Sequence, residues 1–256
     1  GLVGSEMCIR DRRSLLDDVG HELRTPIAVV RGHLELTDPT DPEDVHQTQL
    51  LAIDELDRMG MLVGDLILLA KSAQSDFVTP VDTDVAELTE MVFDKSLALG
   101  ERRWRLESVA FTRASIDPTR ITQAWLQLVA NAVKYSAPCS TVSLGSAVRD
   151  GHLLMWVGDE GIGIAPEDID VVRQRFKRTA GAQEMASGTG LGLSIVETIV
   201  AAHGGRLDIR SKVGEGSVFT MTIPLEASPV PSSSETTTSG DAGASPPEQS
   251  PTASEE

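Results

Sequence analysis

The sequence predicts two folded regions of different class. An all-α helical hairpin, pairing into a dimeric four-helix bundle, is followed by an α+β two-layer sandwich. Three observations carry this reading. Residues 13–72 hold two long runs with apolar residues every three or four positions, separated by the turn-rich "TDPTDPED". From about residue 83 helical and strand-like segments alternate, with an Asp150-Gly151 turn between two strand patterns. Residues 227–256 carry five acids, no bases and almost nothing apolar. Such a composition cannot offset the entropy of ordering, so this tail is expected to be disordered.

The first run, residues 13–38, places Leu16, Val19, Leu23, Ile27, Val30 and Leu34 on one helical stripe. The second runs to about Ser72, with Leu56, Met59, Val63, Leu66 and Ala70 on one face. A short loop between two amphipathic helices makes an antiparallel hairpin, and one hairpin cannot cover both stripes, hence the dimer. Residues 77–81 read as a linker. Within 82–226, "DVAELTEMVFDKSLAL" is helical and "RWRLESVAF" strand-like. "DPTRITQAWLQLVANAVKYS" is a helix entered through Asp117-Pro118, and "STVSLGSAVRDGHLLMWVG" is two strands. The helix "GLSIVETIVAAHGG" and the strands "RLDIRS" and "SVFTMTIP" complete a mixed sheet covered on one face by helices.

At 256 residues the chain has room for one or two cores, and with aromatics at 4% those cores are mostly aliphatic. A net charge of −17 argues against nucleic acid or anionic lipid as the main partner. No apolar run approaches the roughly 18 residues of a bilayer span. "LVGSEMCIRD" resembles the in-frame translation of a sequencing-library adaptor, so residues 1–12 are read as an artefact and Cys8 is set aside. Cys139 then stands alone, which excludes a disulfide framework and a cysteine metal site and suits a reducing cytosol. The natural protein is expected to continue upstream of Arg13.

His21 lies in "DDVGHELRTPIAVV". At 100° per residue it points about 150° away from the apolar stripe, so it faces solvent, with Glu22 beside it and Thr25 one turn on. Pro26 cannot donate to the Glu22 carbonyl and crowds it, so the helix is expected to bend there. On the helix alone, a surface histidine beside a chance kink explains these residues equally well.

Three motifs in the second region are each weak by themselves. "DEGIGI" offers Asp159 as an acceptor for an exocyclic amine, with Gly161 and Gly163 allowing close backbone approach. "GTGLGL", with Gly188, Thr189, Gly190, Leu191 and Gly192, opens a helix whose amides can cradle phosphate. In "NAVKYS", Asn131 suits a hydrated Mg²⁺, Lys134 a phosphate and Tyr135 a purine face. Ordinary turns, caps and a polar helix end would produce the same letters. Neither glycine cluster is a P-loop or a dinucleotide fingerprint.

Taken in order and spacing, "HELRTP", "NAVKY", "DEGIG" and "GTGLGL" resemble the boxes of bacterial two-component sensor histidine kinases. "RMGMLVGDLILLAKS" is similar to the end of that family's dimerisation hairpin, and "RQRFKR", with Phe176, to its phenylalanine box. The resemblance covers about residues 13–225. It implies a dimerisation and phosphotransfer hairpin over 13–76 and an ATP-binding domain of the histidine kinase/gyrase type over 82–226. His21 would be the phosphoacceptor, Glu22 its acid–base partner, and Thr25 the residue that positions water in the reverse, phosphatase direction. ATP and Mg²⁺ would be bound by Asn131, Gln127, Lys134, Tyr135, Asp159 and the glycines, under a lid between about 177 and 190. The implied partners are a response regulator receiver domain and a second copy of the chain, with no nucleic acid. The chain is expected to be the cytoplasmic portion of a protein held in the membrane only through its missing upstream region.

Three positions depart from the family pattern: Gln127 for a more usual asparagine, Arg173 for a phenylalanine, and Gly20 before His21 for a serine. None removes a group the chemistry needs. Two alternatives are weighed. A serine kinase of the anti-sigma type would not explain a hairpin bearing "HELRTP". The other is a signalling partner rather than a forward kinase: intact nucleotide boxes speak against a degenerate scaffold, while a phosphatase-dominant partner stays open.

Overall fold

The computed structural model describes residues 20, 22–72, 74, 76–177 and 189–225. His21, Gly188, most of the expected lid, the adaptor-like start and the acidic tail lie outside the described residues. The first helix, α1, spans 22–36 and runs on through Pro26, which is buried. The turn that follows is built from its own side chains. Asp38 Oδ1 accepts the Thr40 amide at 2.8 Å, and Asp44 returns to the Asp38 amide at 2.7 Å. The second helix, α2 (Pro42–Lys71), begins at an Asp41 cap with Pro42 in its first turn, the expected signal for a helix start. A 2.8 Å contact between the Thr37 and Thr48 hydroxyls closes the hairpin at its tip.

The expected stripes meet and are covered only in part, with Leu23 and Leu66 packed against the core. Ile27, Leu34, Leu56 and Val63 remain exposed, and Ile27, Val30, Leu34, Leu56 and Met59 line an apolar groove between the helices. α2 has a second apolar face that its sequence periodicity does not separate from the first. Leu62, Leu68 and Leu69 are buried in the same cluster as the sheet core, where α2 packs on a later helix, α6 (Gly192–Ala202).

The remaining elements are β1 (Val81–Asp84), α3 (Val85–Ser96), β2 (Arg103–Ser108), β3 (Arg113–Ile116) and α4 (Pro118–Lys134). After these come β4 (Thr141–Arg149), β5 (His152–Asp159), the short α5 (Ile169–Val172), α6, β6 (Arg206–Lys212) and β7 (Gly216–Pro224). The main sheet has the order β2-β4-β5-β7-β6, with β2 parallel to β4 and the other pairs antiparallel. β1 and β3 form a separate antiparallel pair that the sequence did not signal, because each is only four residues long. Helices α3, α4 and α6 cover one face. Along β4, β5 and β7, Val142, Leu144, Leu153, Met155, Val157, Phe219, Met221 and Ile223 alternate into that side and are buried. The β4–β5 hairpin turns at Asp150 and Gly151, both with positive φ (51° and 71°), the geometry that an Asp-Gly pair favours.

Within 77–81, Phe77 is buried and Val81 pairs with Ile116, so this connection is held against the second region. Arg173, the departure noted above, has an evident role: its guanidinium reaches Glu197 at 2.6 Å and the Leu207 carbonyl at 3.1 Å, tying the end of α5 to α6 and β6.

Candidate nucleotide site

Between α4, the end of β5, the start of α6 and one face of α2 lies a cavity of about 400 Å³, enough for a small organic ligand. Gln127, Asn131 and Lys134 recur at helical spacing, so α4 presents all three to it, with Tyr135 at the helix end. The Lys134 ammonium lies 4.8 Å from the Tyr135 ring centroid.

Asp159 ends β5 at the cavity wall, and its Oδ1 accepts the Gly161 amide at 2.8 Å. Burial pushes its carboxyl up to about 6, while the Gly161 and Ser217 amides pull the other way. The loop after it is fastened on both sides. Ile162 donates to the Tyr135 carbonyl at 3.1 Å, and Gly214 donates to the Ile162 carbonyl at 2.8 Å. Gly163 is required by this packing: its φ is +68°, and a Cβ there would stand 2.0 Å from the Lys212 carbonyl oxygen.

On the far side Thr189, Gly190 and Gly192 line the cavity where α6 begins. Among the described residues no side chain caps that helix, an arrangement that suits an anion at its first amides. Gly192 leaves room for Gln127, whose Nε2 would lie 2.5 Å from a Cβ at that position. Thr189 Oγ1 accepts the Leu191 amide at 3.3 Å.

Not every residue singled out in the sequence reaches the cavity. Leu191 is fully buried in the core, because an apolar side chain at this helix start turns toward the sheet. Phe176 packs against the core and donates its amide to the Gly190 carbonyl at 3.1 Å, and Gly161 contributes through its bond to Asp159. Glu22 is half-buried and Thr25 exposed on α1, and neither lines the cavity.

Other residues do line it without having been singled out. Lys177, Ser217 and Phe219 belong to the second region, and Asp54, Asp57, Arg58, Met61 and Asp65 come from α2. Burial pushes the Asp65 carboxyl up to about 6. These α2 residues recur at helical spacing, but in a sequence such a face is indistinguishable from a solvated one. Lys134 and Lys177 supply positive charge suited to phosphate. Among the described residues no cluster of three His, Cys, Asp or Glu side chains could hold a metal unaided. The amide oxygens of Gln127 and Asn131 instead fit a cation that arrives mostly dressed in phosphate and water.

Comparison with known proteins identifies both regions. Residues 11–75 match HisKA, the His Kinase A (phospho-acceptor) domain, and residues 116–227 match HATPase_c, the histidine kinase-, DNA gyrase B- and HSP90-like ATPase family. The sensor-like histidine kinase SenX3 of Mycobacterium tuberculosis is 34% identical over 221 residues, 83% of this chain and 54% of SenX3. The chain thus spans about half the length of that curated relative. Among solved structures, the histidine kinase AdeS of Acinetobacter baumannii superposes with a TM-score of 0.63 at 26% identity, over 81% of this chain and 98% of AdeS. Full-length ShkA, solved in complex with AMPPNP, gives a TM-score of 0.60 at 28% identity over 84% of this chain and 46% of ShkA. A hairpin matching the phosphoacceptor family, joined to a sheet whose cavity gathers four aspartates, two amides, two lysines and a glycine-lined helix start, has one reading: the chain belongs to the two-component sensor histidine kinases.

Proposed function

We propose that this chain is the kinase core of a sensor protein that phosphorylates His21 from ATP and passes the phosphoryl group to an aspartate of a response regulator. The observation that carries the reading is the single cavity lined by Asn131, Lys134, Asp159, Thr189 and Gly190 on one side and by the hairpin helix α2 on another. A nucleotide held there would lie against the hairpin whose other helix bears "HELRTP". The AMPPNP complex of ShkA supports the choice of nucleotide.

Each residue has a task in this reading. Asp159 accepts from the adenine amine, Tyr135 packs on the base, and Lys134 and Lys177 offset phosphate charge. Gly188, Thr189, Gly190 and Gly192 border the triphosphate. Gln127 and Asn131 would hold Mg²⁺, which when bound offsets charge on the phosphates. A neutral imidazole is a usable nucleophile near neutral pH. A ring nitrogen of His21 forms the N–P bond as the bond from the γ-phosphorus to ADP breaks. The proton on the other ring nitrogen becomes acidic, and Glu22 accepts or orients it. Thr25 positions water for the reverse reaction. The chain is the cytoplasmic portion of a membrane-anchored parent, acts as a homodimer through the hairpin, and takes no nucleic acid.

Incubation with γ-labelled ATP and Mg²⁺ tests this. Acid-labile, base-stable label is expected on the parent chain, absent from His21→Gln, and transferable to a receiver domain. Acid-stable label on serine, or an unlabelled dimer that binds ATP, would overturn the reading.

A further inference from the structure

At the cavity end of the sheet, three strands set polar side chains in one row. Asp159 on β5 stands opposite Ser217 on β7, and Ser217 stands opposite Ser211 on β6. Val142 on β4 continues the row beyond Asp159 and is fully buried, so the row faces the helix-covered side. Asp159 and Ser217 line the cavity, and Ser211 sits behind Ser217.

Ser211 is saturated by its neighbours. Its Oγ accepts the Ile164 amide at 2.7 Å, donates to the Gly216 carbonyl at 3.0 Å, and lies 2.8 Å from Ser217 Oγ. A hydroxyl has one proton and two lone pairs. The 2.8 Å contact admits either hydroxyl as donor; assigning the Ser211 proton to the Gly216 carbonyl and one lone pair to Ile164 leaves Ser211 to accept from Ser217. Ser217 must then turn its own proton backward and present lone pairs to the cavity.

We propose that Ser211 is a positioning residue for base selection. By fixing the direction of the Ser217 proton, it makes the cavity meet the base with two acceptors, Asp159 and Ser217. Two acceptors match the two N–H bonds of a 6-amino purine and oppose the oxygen of a 6-oxo purine. The same hydroxyl ties Ile164, at the end of the Asp159 loop, to the β6–β7 turn. This inference rests on the nucleotide reading above.

The test is a titration of the full chain with ADP and with IDP, each with Mg²⁺, so that no turnover intervenes. The parent should favour ADP. Ser211→Ala should lower the ADP/IDP affinity ratio about tenfold, the worth of one misdirected hydrogen bond, with IDP binding held or improved. Ser211→Thr should keep the ratio. If Ser211→Ala weakens both nucleotides alike, Ser211 is merely structural and the proposal is overturned. Ser217→Ala removes the acceptor itself and should lower the ratio too; an unchanged ratio there overturns the proposal even if Ser211→Ala does not fold. A parent chain that binds ADP and IDP equally overturns this inference alone, whereas one that binds neither overturns the nucleotide reading as well.

Discussion

Asp159 shows how a binding residue works against the stability of its own fold. Its folded pKa, about 6, is raised above the ordinary 3.8 by burial. A raised carboxyl disfavours folding wherever it must ionise, so the penalty is present at neutral pH and is relieved as pH falls through about 6. Asp159→Asn should therefore stabilise the nucleotide-free chain at pH 7 by about 2–3 kcal/mol and flatten the gain in stability between pH 7 and 5, both read from urea unfolding. The same change should weaken ATP binding by roughly a hundredfold, since an amide can offer the amine a donor where an acceptor is needed. Gly216 is the complementary case. Its φ is +100°, and a Cβ there would lie 1.9 Å from the Asp159 carbonyl oxygen. Gly216→Ala should cost about 3 kcal/mol or more and abolish nucleotide binding, measured by unfolding and titration. Asp159 was legible as an acid before paired glycines. Gly216 was not, because "GEGS" reads as half of any hairpin turn until β5 is laid beside it.

At the scale of elements, the start of α4 joins the linker to the site. Asp117 Oδ1 caps the helix through the Thr119 and Arg120 amides, both at 3.0 Å, and Oδ2 accepts the Thr79 amide at 3.0 Å. The Asp117 amide donates to His203 Nε2 at 3.0 Å, and the Arg120 guanidinium lies 5.0 Å over the Phe77 ring. Burial pushes the Asp117 carboxyl up, but the three amides outweigh it and hold the group below its usual range. A depressed carboxyl contributes stability that is present at neutral pH and lost as pH falls through its folded pKa. Asp117→Ala should cost about 1–2 kcal/mol in thermal unfolding at pH 7, with the difference from the parent shrinking in acid. Hydrogen exchange at residues 78–81 should rise in the same variant. Asp-Pro before a periodic run announced the cap; nothing local announced that the second carboxylate oxygen would hold Thr79.

For the whole molecule, the exposed groove of Ile27, Val30, Leu34, Leu56 and Met59 is the face expected to meet a second hairpin. Leu56→Glu puts a charge on that face without touching the nucleotide cavity. Sedimentation should show it monomeric at concentrations where the parent is dimeric, while its affinity for ADP stays within about twofold of the parent, since Leu56 does not line that cavity. A variant that remained dimeric would show that the bundle uses another face. The opposite side of α2 is spoken for within the chain, with Leu62, Leu68 and Leu69 in the sheet core and Asp54, Asp57 and Asp65 on the cavity.

The sequence by itself determined what depends on near neighbours along the chain. Helix stripes, Asp-Pro starts, the Asp150-Gly151 turn and the glycine boxes all show there, because periodicity and capping act within a few residues. Membership of the family followed from the order of those boxes. Only the tertiary structure decided which of the two α2 faces closes the cavity, what Arg173 holds together, and how Ser211, Ser217 and Asp159 align. Those arrangements depend on strand register and helix packing between residues tens of positions apart, for which a single sequence holds no period to read.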